Sequence, residues 1–391
     1  MTAHPALPHA HPADVGLCPE RTQRLMDVLG REVTSGRLPG AVAMIARRGQ
    51  IALFEAVGQQ NPATGTPMQT DSIFRIYSMT KPVVSVVVMM LLERGQLLLS
   101  DPVSRWLPEF AHQQVATALG LEPVKQEATV QDLLRHTAGL TYEFLSSSSV
   151  QQQYGQVNIA SRERTNAEFS QTLASVPLQF QPGTVWAYSR ATDVLGRLVE
   201  VVSGQGLGAF LQAEIFDPLG MVDTGFAVPP EQQHRIAEPF AQDPDGGAPM
   251  KVLELRQVPA LEAGGGGLMS TAMDYTRFLQ CLRNRGELNG VRLLGPHTVD
   301  YMTADHLGGI PADGTLLPPG HGFGLGFAVR THVGLAPVPG SAGLYYWGGI
   351  AGTTFFVDPA LDLYAMLMIQ APNQRDYYRP LFRDLVYAAL F

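Results

Sequence analysis

Cysteine is nearly absent from this chain. Cys18 and Cys281 are its two cysteines, far apart and without Cys-x-x-Cys spacing. A disulfide framework or a cysteine metal site is therefore not expected, and both are read as reduced thiols. Lysine is almost as scarce. Lys81, Lys125 and Lys251 are the only lysines, and arginine supplies nearly all of the other basic groups. Charged residues make up 16%, and 35 acids against 27 bases leave a formal charge of −8. With no basic cluster to offset it, that charge argues against nucleic acid or an anionic membrane surface as a partner. The apolar run from Val83 to Leu92 is too short to span a bilayer. At the N-terminus no basic stretch precedes an apolar core, so no secretory signal is read there and a cytoplasmic protein is expected. No Gly-x-Ser-x-Gly elbow, His-Glu-x-x-His pair, phosphate loop or dinucleotide fingerprint occurs. No cofactor and no metal are implied. His4, His9 and His11 are irregularly spaced on an arm of about 18 residues expected to be loosely held, a poor arrangement for metal ligation.

What the chain does have is apolar content, 45% over 391 residues, enough for a sizeable core and for two domains or one with a large insertion. Leu25, Val28, Leu29 and Val33 are spaced for an amphipathic helix ending near Gly36. Ala41 to Ala46 and Ile51 to Val57 read as paired strands around Arg47-Arg48-Gly49-Gln50. The middle is expected to be mostly helical, with helices over 129–134, 195–202, 207–215 and 272–282, and with 146–153 as a flexible polar loop. Strands return over 323–329, 344–347, 353–357 and 363–369, followed by a helix from about Arg375. Strands at both ends with helices between them predict an α+β fold, an antiparallel sheet built from both termini and flanked by helices. The expected division is 1–84 with 301–391 as the sheet domain and 85–300 as an inserted, mostly helical domain, the active site lying between them.

The chemistry centres on Ser78-Met79-Thr80-Lys81, at the start of a helix expected to run from near Ser78 to Gly95, with Pro82 tolerable that early. At a spacing of three, the hydroxyl and the ammonium share one face. A serine hydroxyl is a poor nucleophile until a neighbour takes its proton, which an amine can do and an arginine cannot. A chain that elsewhere uses arginine keeps lysine here. The plain alternative is a serine cap beside a lysine whose stem packs on apolar neighbours. Two more stretches stand out: Trp186-Ala187-Tyr188-Ser189-Arg190 after a Pro182-Gly183 turn, and Trp347-Gly348-Gly349-Ile350 at a strand end.

In order, these three motifs resemble the Ser-x-x-Lys, Tyr-x-Asn and Lys-Thr-Gly motifs of serine hydrolases built like class C β-lactamases and DD-peptidases. The esterase branch, the family VIII carboxylesterases with a Trp-Gly-Gly third motif, is the nearest match. His136-Thr137-Ala138-Gly139-Leu140, Gln181-Pro182-Gly183, Pro218-Leu219-Gly220-Met221 and Gly266-Gly267-Leu268-Met269-Ser270-Thr271 extend the likeness over most of the chain. The resemblance implies Ser78 as nucleophile, Lys81 as a group that shares or relays its proton, and Tyr188 as general base and proton donor to the leaving alcohol. It also implies an oxyanion hole from the backbone N–H groups of Ser78 and Ile350, each donor worth about 3–4 kcal/mol of transition-state stabilisation. Trp347, Gly348 and Gly349 would contact substrate, and Tyr142 is a further candidate for the pocket wall. Two departures matter. Arg190 replaces the asparagine, and either sits near Tyr188 or points to solvent. Trp347 replaces the lysine that meets a substrate carboxylate, leaving an apolar wall that favours neutral esters. His136 is read as a buried hydrogen-bonding histidine.

The expectation is a serine hydrolase cleaving short to medium acyl esters, with a small-molecule ester as its partner. The same machinery could serve a β-lactamase, a D-amino-acid peptidase or an acyltransferase. An inactive binding protein with this fold is the alternative from another class, although it would not need all three of Ser78, Lys81 and Tyr188. Substrate identity and oligomeric state are not readable.

Overall fold

The computed structural model describes residues 4–314 and 316–391. Its centre is an eight-stranded antiparallel sheet formed by both ends of the chain. Strands β1 (Gly40–Arg47), β2 (Gln50–Asn61) and β3 (Thr66–Pro67) come from the first part. From the last part come β4 (His321–Phe323), β5 (Ala328–Arg330), β6 (Tyr345–Gly348), β7 (Thr354–Asp358) and β8 (Leu363–Ile369). The spatial order is β4-β5-β6-β7-β8-β1-β2-β3. The termini meet where β1 pairs with β8, from Ala41 opposite Ile369 to Arg47 opposite Leu363. Arg48 and Gly49, both at positive φ, make the tight turn between β1 and β2 that a right-twisted hairpin needs.

Helices cover both faces of the sheet, so its central strands are apolar without interruption rather than alternating. The period of two survives in where the side chains go. Ala41, Ala43 and Ile45 join one core, against Leu25 and Leu29 of α1 (Pro19–Thr34) and the last helix of the chain. Val42, Met44 and Ala46 point into the other, with the valines of α2 (Thr80–Glu93). Thr80 to Leu91 of α2 is buried without a break, as expected of a helix that is apolar all round. Each fully buried Val, Leu or Met in it contributes roughly 1.5–3 kcal/mol. The remaining helices used below are α3 (Ala191–Ser203), α4 (Ala272–Arg283) and α5 (Arg375–Ala388).

Several expectations need correcting. The N-terminal arm is not loose over its described part. Leu7, Val15 and Leu17 are buried, Ala10 N donates to Ile51 O at 2.9 Å and Ile51 N to Pro8 O at 2.8 Å at the strand edge, and Arg47 donates to Gly16 O at 2.6 Å. The polar stretch 146–153 is not a flexible loop. Ser148 accepts from Gln151 N and caps a helix over Ser149–Gln156, while the Gln151 amide returns to Ser148 N. The single strand read over 323–329 is two, interrupted at Gly324 to Phe327. The helix read over 207–215 passes into a π-helical turn at Gln212–Phe216. Among the described residues no single helix is long and apolar enough to cross a membrane.

Candidate active site

Ser78 lies in a 3-10 turn, Tyr77–Met79, that feeds directly into α2. The turn is pinned on both sides. Upstream, Phe74-Arg75 pairs with Met269-Ser270, and Ile76 N donates to Leu268 O at 3.2 Å. Downstream, the Tyr275 hydroxyl of α4 donates to Met79 O at 2.9 Å, and Leu268 N to the Thr80 hydroxyl at 3.1 Å. Tyr77 takes a left-handed φ of 44°, rare for a bulky residue and held in place by these contacts. Its hydroxyl accepts from Leu253 N at 2.8 Å.

The three side chains on which the sequence reading turned converge. The Tyr188 hydroxyl is 2.7 Å from Ser78 Oγ, and Lys81 Nζ is 3.4 Å from the same atom. Lys81 is completely buried and satisfied elsewhere: Nζ donates to the Tyr142 hydroxyl at 2.9 Å and to Gly265 O at 2.5 Å. It also sits 4.6 Å above the Tyr188 ring. A Cβ at position 265 would stand 2.6 Å from the Asp193 carboxylate, so any larger residue there must displace that side chain. Asp193 Oδ1 in turn accepts from Gly265 N at 2.8 Å, which fixes the carbonyl that holds the lysine.

Beyond the serine opens a cleft of about 380 Å³, lined by Ser78, Tyr188, Trp347, Gly348 and Ile350 among others. The Trp347 indole N–H donates to the Tyr188 hydroxyl at 3.3 Å, so the third motif orients the second. The Ile350 N–H donates to no acceptor among the described residues. Gly349 lies beneath, its N–H donated to Thr353 O at 2.8 Å and its α-carbon pressed so close to Ile76 O that no Cβ fits. Neither Gly349 nor Tyr142 is among the cleft-lining residues. Tyr142, 5% exposed, stands behind the serine against Lys81, and burial pushes its hydroxyl well above the ordinary tyrosine range.

Arg190 neither points to solvent nor reaches Tyr188. It pairs with Glu143 at 2.5 Å and Asp193 at 3.6 Å and lies over the Tyr142 ring at 4.8 Å, so its charge is compensated within the wall. His136 is enclosed by Trp186, Tyr188 and Phe323, with Nδ1 3.0 Å from the Ser189 hydroxyl. Burial, reinforced by Lys81, holds its imidazole well below the usual histidine range, and it is neutral. Sequence reading missed three groups: Gly265 O, the Asp193 carboxylate behind it, and Arg379 of α5, which donates to Gly349 O and to Thr353 O. The run of four glycines at 264–267 was the available signal for the first. No group of three or more His, Cys, Asp or Glu that could hold a metal occurs among the described residues.

A serine between a phenol and an amine, at the mouth of a cleft with a free backbone N–H opposite, is an arrangement suited to acyl transfer. The chain matches the Beta-lactamase family model over residues 22–388 and belongs to that family. It is 36% identical to Esterase EstB of Burkholderia gladioli, over 99% of this chain and 100% of that one. It is 30% identical to Lovastatin esterase of Penicillium rubens, over 87% of this chain and 90% of that one. Among solved structures, EstCE1, described as a hydrolase with promiscuous acyltransferase activity, superposes with a TM-score of 0.80 at 27% identity, covering 94% of this chain and 98% of its own.

Proposed function

We propose that this protein is a carboxylesterase of the family VIII branch that cleaves short to medium acyl esters through an acyl-enzyme on Ser78. The observation that carries the reading is the convergence of the Tyr188 hydroxyl and Lys81 Nζ on Ser78 Oγ. Tyr188, in its phenolate form, takes the Ser78 proton as Oγ attacks the ester carbon, and the negative charge gathers on the carbonyl oxygen. The N–H groups of Ser78 and Ile350 receive that oxyanion. The carbon–oxygen bond to the alcohol then breaks, and Tyr188 returns the proton to the departing oxygen. Water repeats the sequence on the acyl-enzyme, releasing the acid and restoring Ser78. Lys81, held by Gly265 O and Tyr142, stands 3.4 Å from Ser78 Oγ and 4.6 Å from the Tyr188 ring, placed to share that proton in both halves.

Support for an ester substrate comes from the cleft walls. Trp347 supplies an indole face, and Phe144, Leu145, Leu316 and Ile350 form an exposed apolar collar at the opening. The similarity to Esterase EstB points the same way. The same proposal includes the division into a sheet domain, 1–84 with 301–391, and a helical domain, 85–300, with the cleft between them, and a cytoplasmic location to be checked by fractionation. The test is mass spectrometry after mixing with a nitrophenyl ester or a phosphonate. Adduct mass on the peptide holding Ser78, and loss of turnover in Ser78→Ala, are expected; labelling elsewhere or unchanged turnover overturns the assignment.

A second reading, transfer of the acyl group to an alcohol, is favoured by the described activity of EstCE1. Adding alcohol acceptors and following the ester product separates it from hydrolysis. Nitrocefin turnover tests the β-lactamase alternative.

A further inference from the structure

The indole of Trp347 leaves one wall of the cleft apolar, but the cleft is not neutral. Arg375, Arg379 and Arg383 follow one another at intervals of four on α5 and so share a face of the helix. All three line the cleft that holds Ser78, and no Asp or Glu does so among the described residues. Their charges are poorly compensated. Arg375 meets the exposed Asp376 at 3.7 Å. Arg379 gives hydrogen bonds to two backbone oxygens and leaves its buried Nε without a partner.

Arg383 is the most enclosed of the three, 7% exposed. Its guanidinium lies over the Tyr346 ring at 4.4 Å and 5.3 Å from the centre of the Phe356 ring. Among the described residues it donates no hydrogen bond and meets no carboxylate, yet its donors are not sealed in the interior; they open onto the cleft. Behind it Arg330, 2% exposed, gives one bond to Val338 O at 2.8 Å and also leaves a buried Nε unpaired. Burial, with Arg330 nearby, pulls the Arg383 guanidinium below the ordinary arginine range, and burial with Arg375 beside it pulls that of Arg379 down to about 10; neighbouring tyrosines and the carboxylates of Asp376 and Asp384 offset this only in part. A guanidinium that stays charged in such a place calls for an anion with a planar pair of acceptors. Aromatic faces alone satisfy none of its N–H groups.

We propose that the substrate carries a carboxylate remote from the scissile ester, and that Arg383, with Arg379 beside it, receives that carboxylate within the cleft. This rests on the reading of Ser78 as the acylated residue and adds the substrate's chemical class to it. The carboxylate and the reacting carbon are thereby held at two fixed points, which favours esters of dicarboxylic or hydroxycarboxylic acids.

The test compares matched pairs of esters. One pair is mono-para-nitrophenyl glutarate and its methyl-capped neutral form, placing the charge on the acyl side. The other is acetoxybenzoate and its methyl ester, placing it on the alcohol side. In at least one pair, kcat/KM of the wild type is expected to favour the anion by about tenfold or more. That preference should shrink on raising salt to about 1 M. Free glutarate should inhibit hydrolysis of the neutral ester competitively. In Arg383→Gln the anionic ester loses at least about tenfold more than the neutral one, through KM, and Arg383→Lys restores part of it. Equal or better turnover of the neutral ester in both pairs overturns the inference. So does an equal loss of both esters in a folded Arg383→Gln, since the arginine would then only pack the helix. If that variant does not fold, the wild-type preference and the glutarate inhibition decide. Hydrolysis of neutral esters through Ser78 without anionic preference sinks this inference alone, whereas no acylation of Ser78 by any ester sinks the function it rests on.

Discussion

Replacing Tyr188 by phenylalanine removes one oxygen atom and keeps the ring. The ring's surroundings are unchanged by that edit: Lys81 Nζ at 4.6 Å, His136 at 5.0 Å, and Tyr142 and Trp347 at 5.2 Å. What disappears is the partner of Ser78 Oγ at 2.7 Å and the acceptor of the Trp347 indole N–H at 3.3 Å. Two hydrogen bonds of this kind are worth about 1–3 kcal/mol of stability together. If the hydroxyl is the group that takes the serine proton, the loss in kcat is far larger, about 10²–10⁴-fold, or roughly 3–5 kcal/mol in the barrier. The two scales separate a catalytic role from a structural one. The assay is steady-state hydrolysis of a nitrophenyl ester by wild type and Tyr188→Phe across pH 6 to 9, with a thermal melt of each. We expect wild-type kcat/KM to rise from neutral toward alkaline pH as the base loses its proton, and the variant to be slow with a flatter profile. A variant within a few fold of wild type, with the same profile, would refute the assignment of Tyr188 as base.

Gly349→Ala should clash with Ile76 O and with the Thr353 hydroxyl, 2.5 Å from the added carbon, and so displace the Ile350 N–H. A fall in kcat of about 10²–10³-fold with little change in KM is expected from steady-state kinetics, and unchanged kcat would remove Ile350 from the oxyanion hole. Ser148→Ala removes the cap of the helix over Ser149–Gln156 and should cost about 1 kcal/mol in denaturant unfolding. No change would mean that the cap is idle. Asp274, 3% exposed, has its carboxyl raised to about 7 by burial, against which the bonds from Asp223 N and the Thr224 hydroxyl act only partly. The folded protein therefore keeps this proton to higher pH than the unfolded chain, and stability falls as pH rises from about 4 to 7, by an amount on the order of 4 kcal/mol at most. The difference in melting temperature between wild type and Asp274→Asn should change across that window and level off above it; a constant difference would show that Asp274 does not titrate there.

Most of the sheet was legible because its central strands are short apolar runs bounded by turn residues. The expected strand over 363–369 coincides with β8, and Ala41 to Ala46 falls inside β1. The turn that carries Ser78 was legible for a different reason: Ser78 and Lys81 are only three residues apart, so helix geometry alone nearly joins them. What escaped sequence reading depended on partners distant in the chain. Nothing local to Val15 and Leu17 announces that Ala389 and Leu390 will cover them. The stretch 146–153 has the polar composition of a mobile loop, but Ser148 and Gln151 stand at the spacing of a capping box and start a helix there.

The arginines of α5 are the instructive omission. An amphipathic helix ordinarily turns its cations to water, and Arg375, Arg379 and Arg383 would pass as such a face. The stripe Tyr378, Phe382 and Val386, buried against the sheet, lies one step further round the helix from Arg379 and Arg383. Residues that close to the buried stripe cannot all be in solvent. In a chain that spends lysine so sparingly, a four-residue repeat of arginine flanking the apolar seam was the signal that these guanidinium groups face a cavity, and the cavity they face is the one that opens on Ser78.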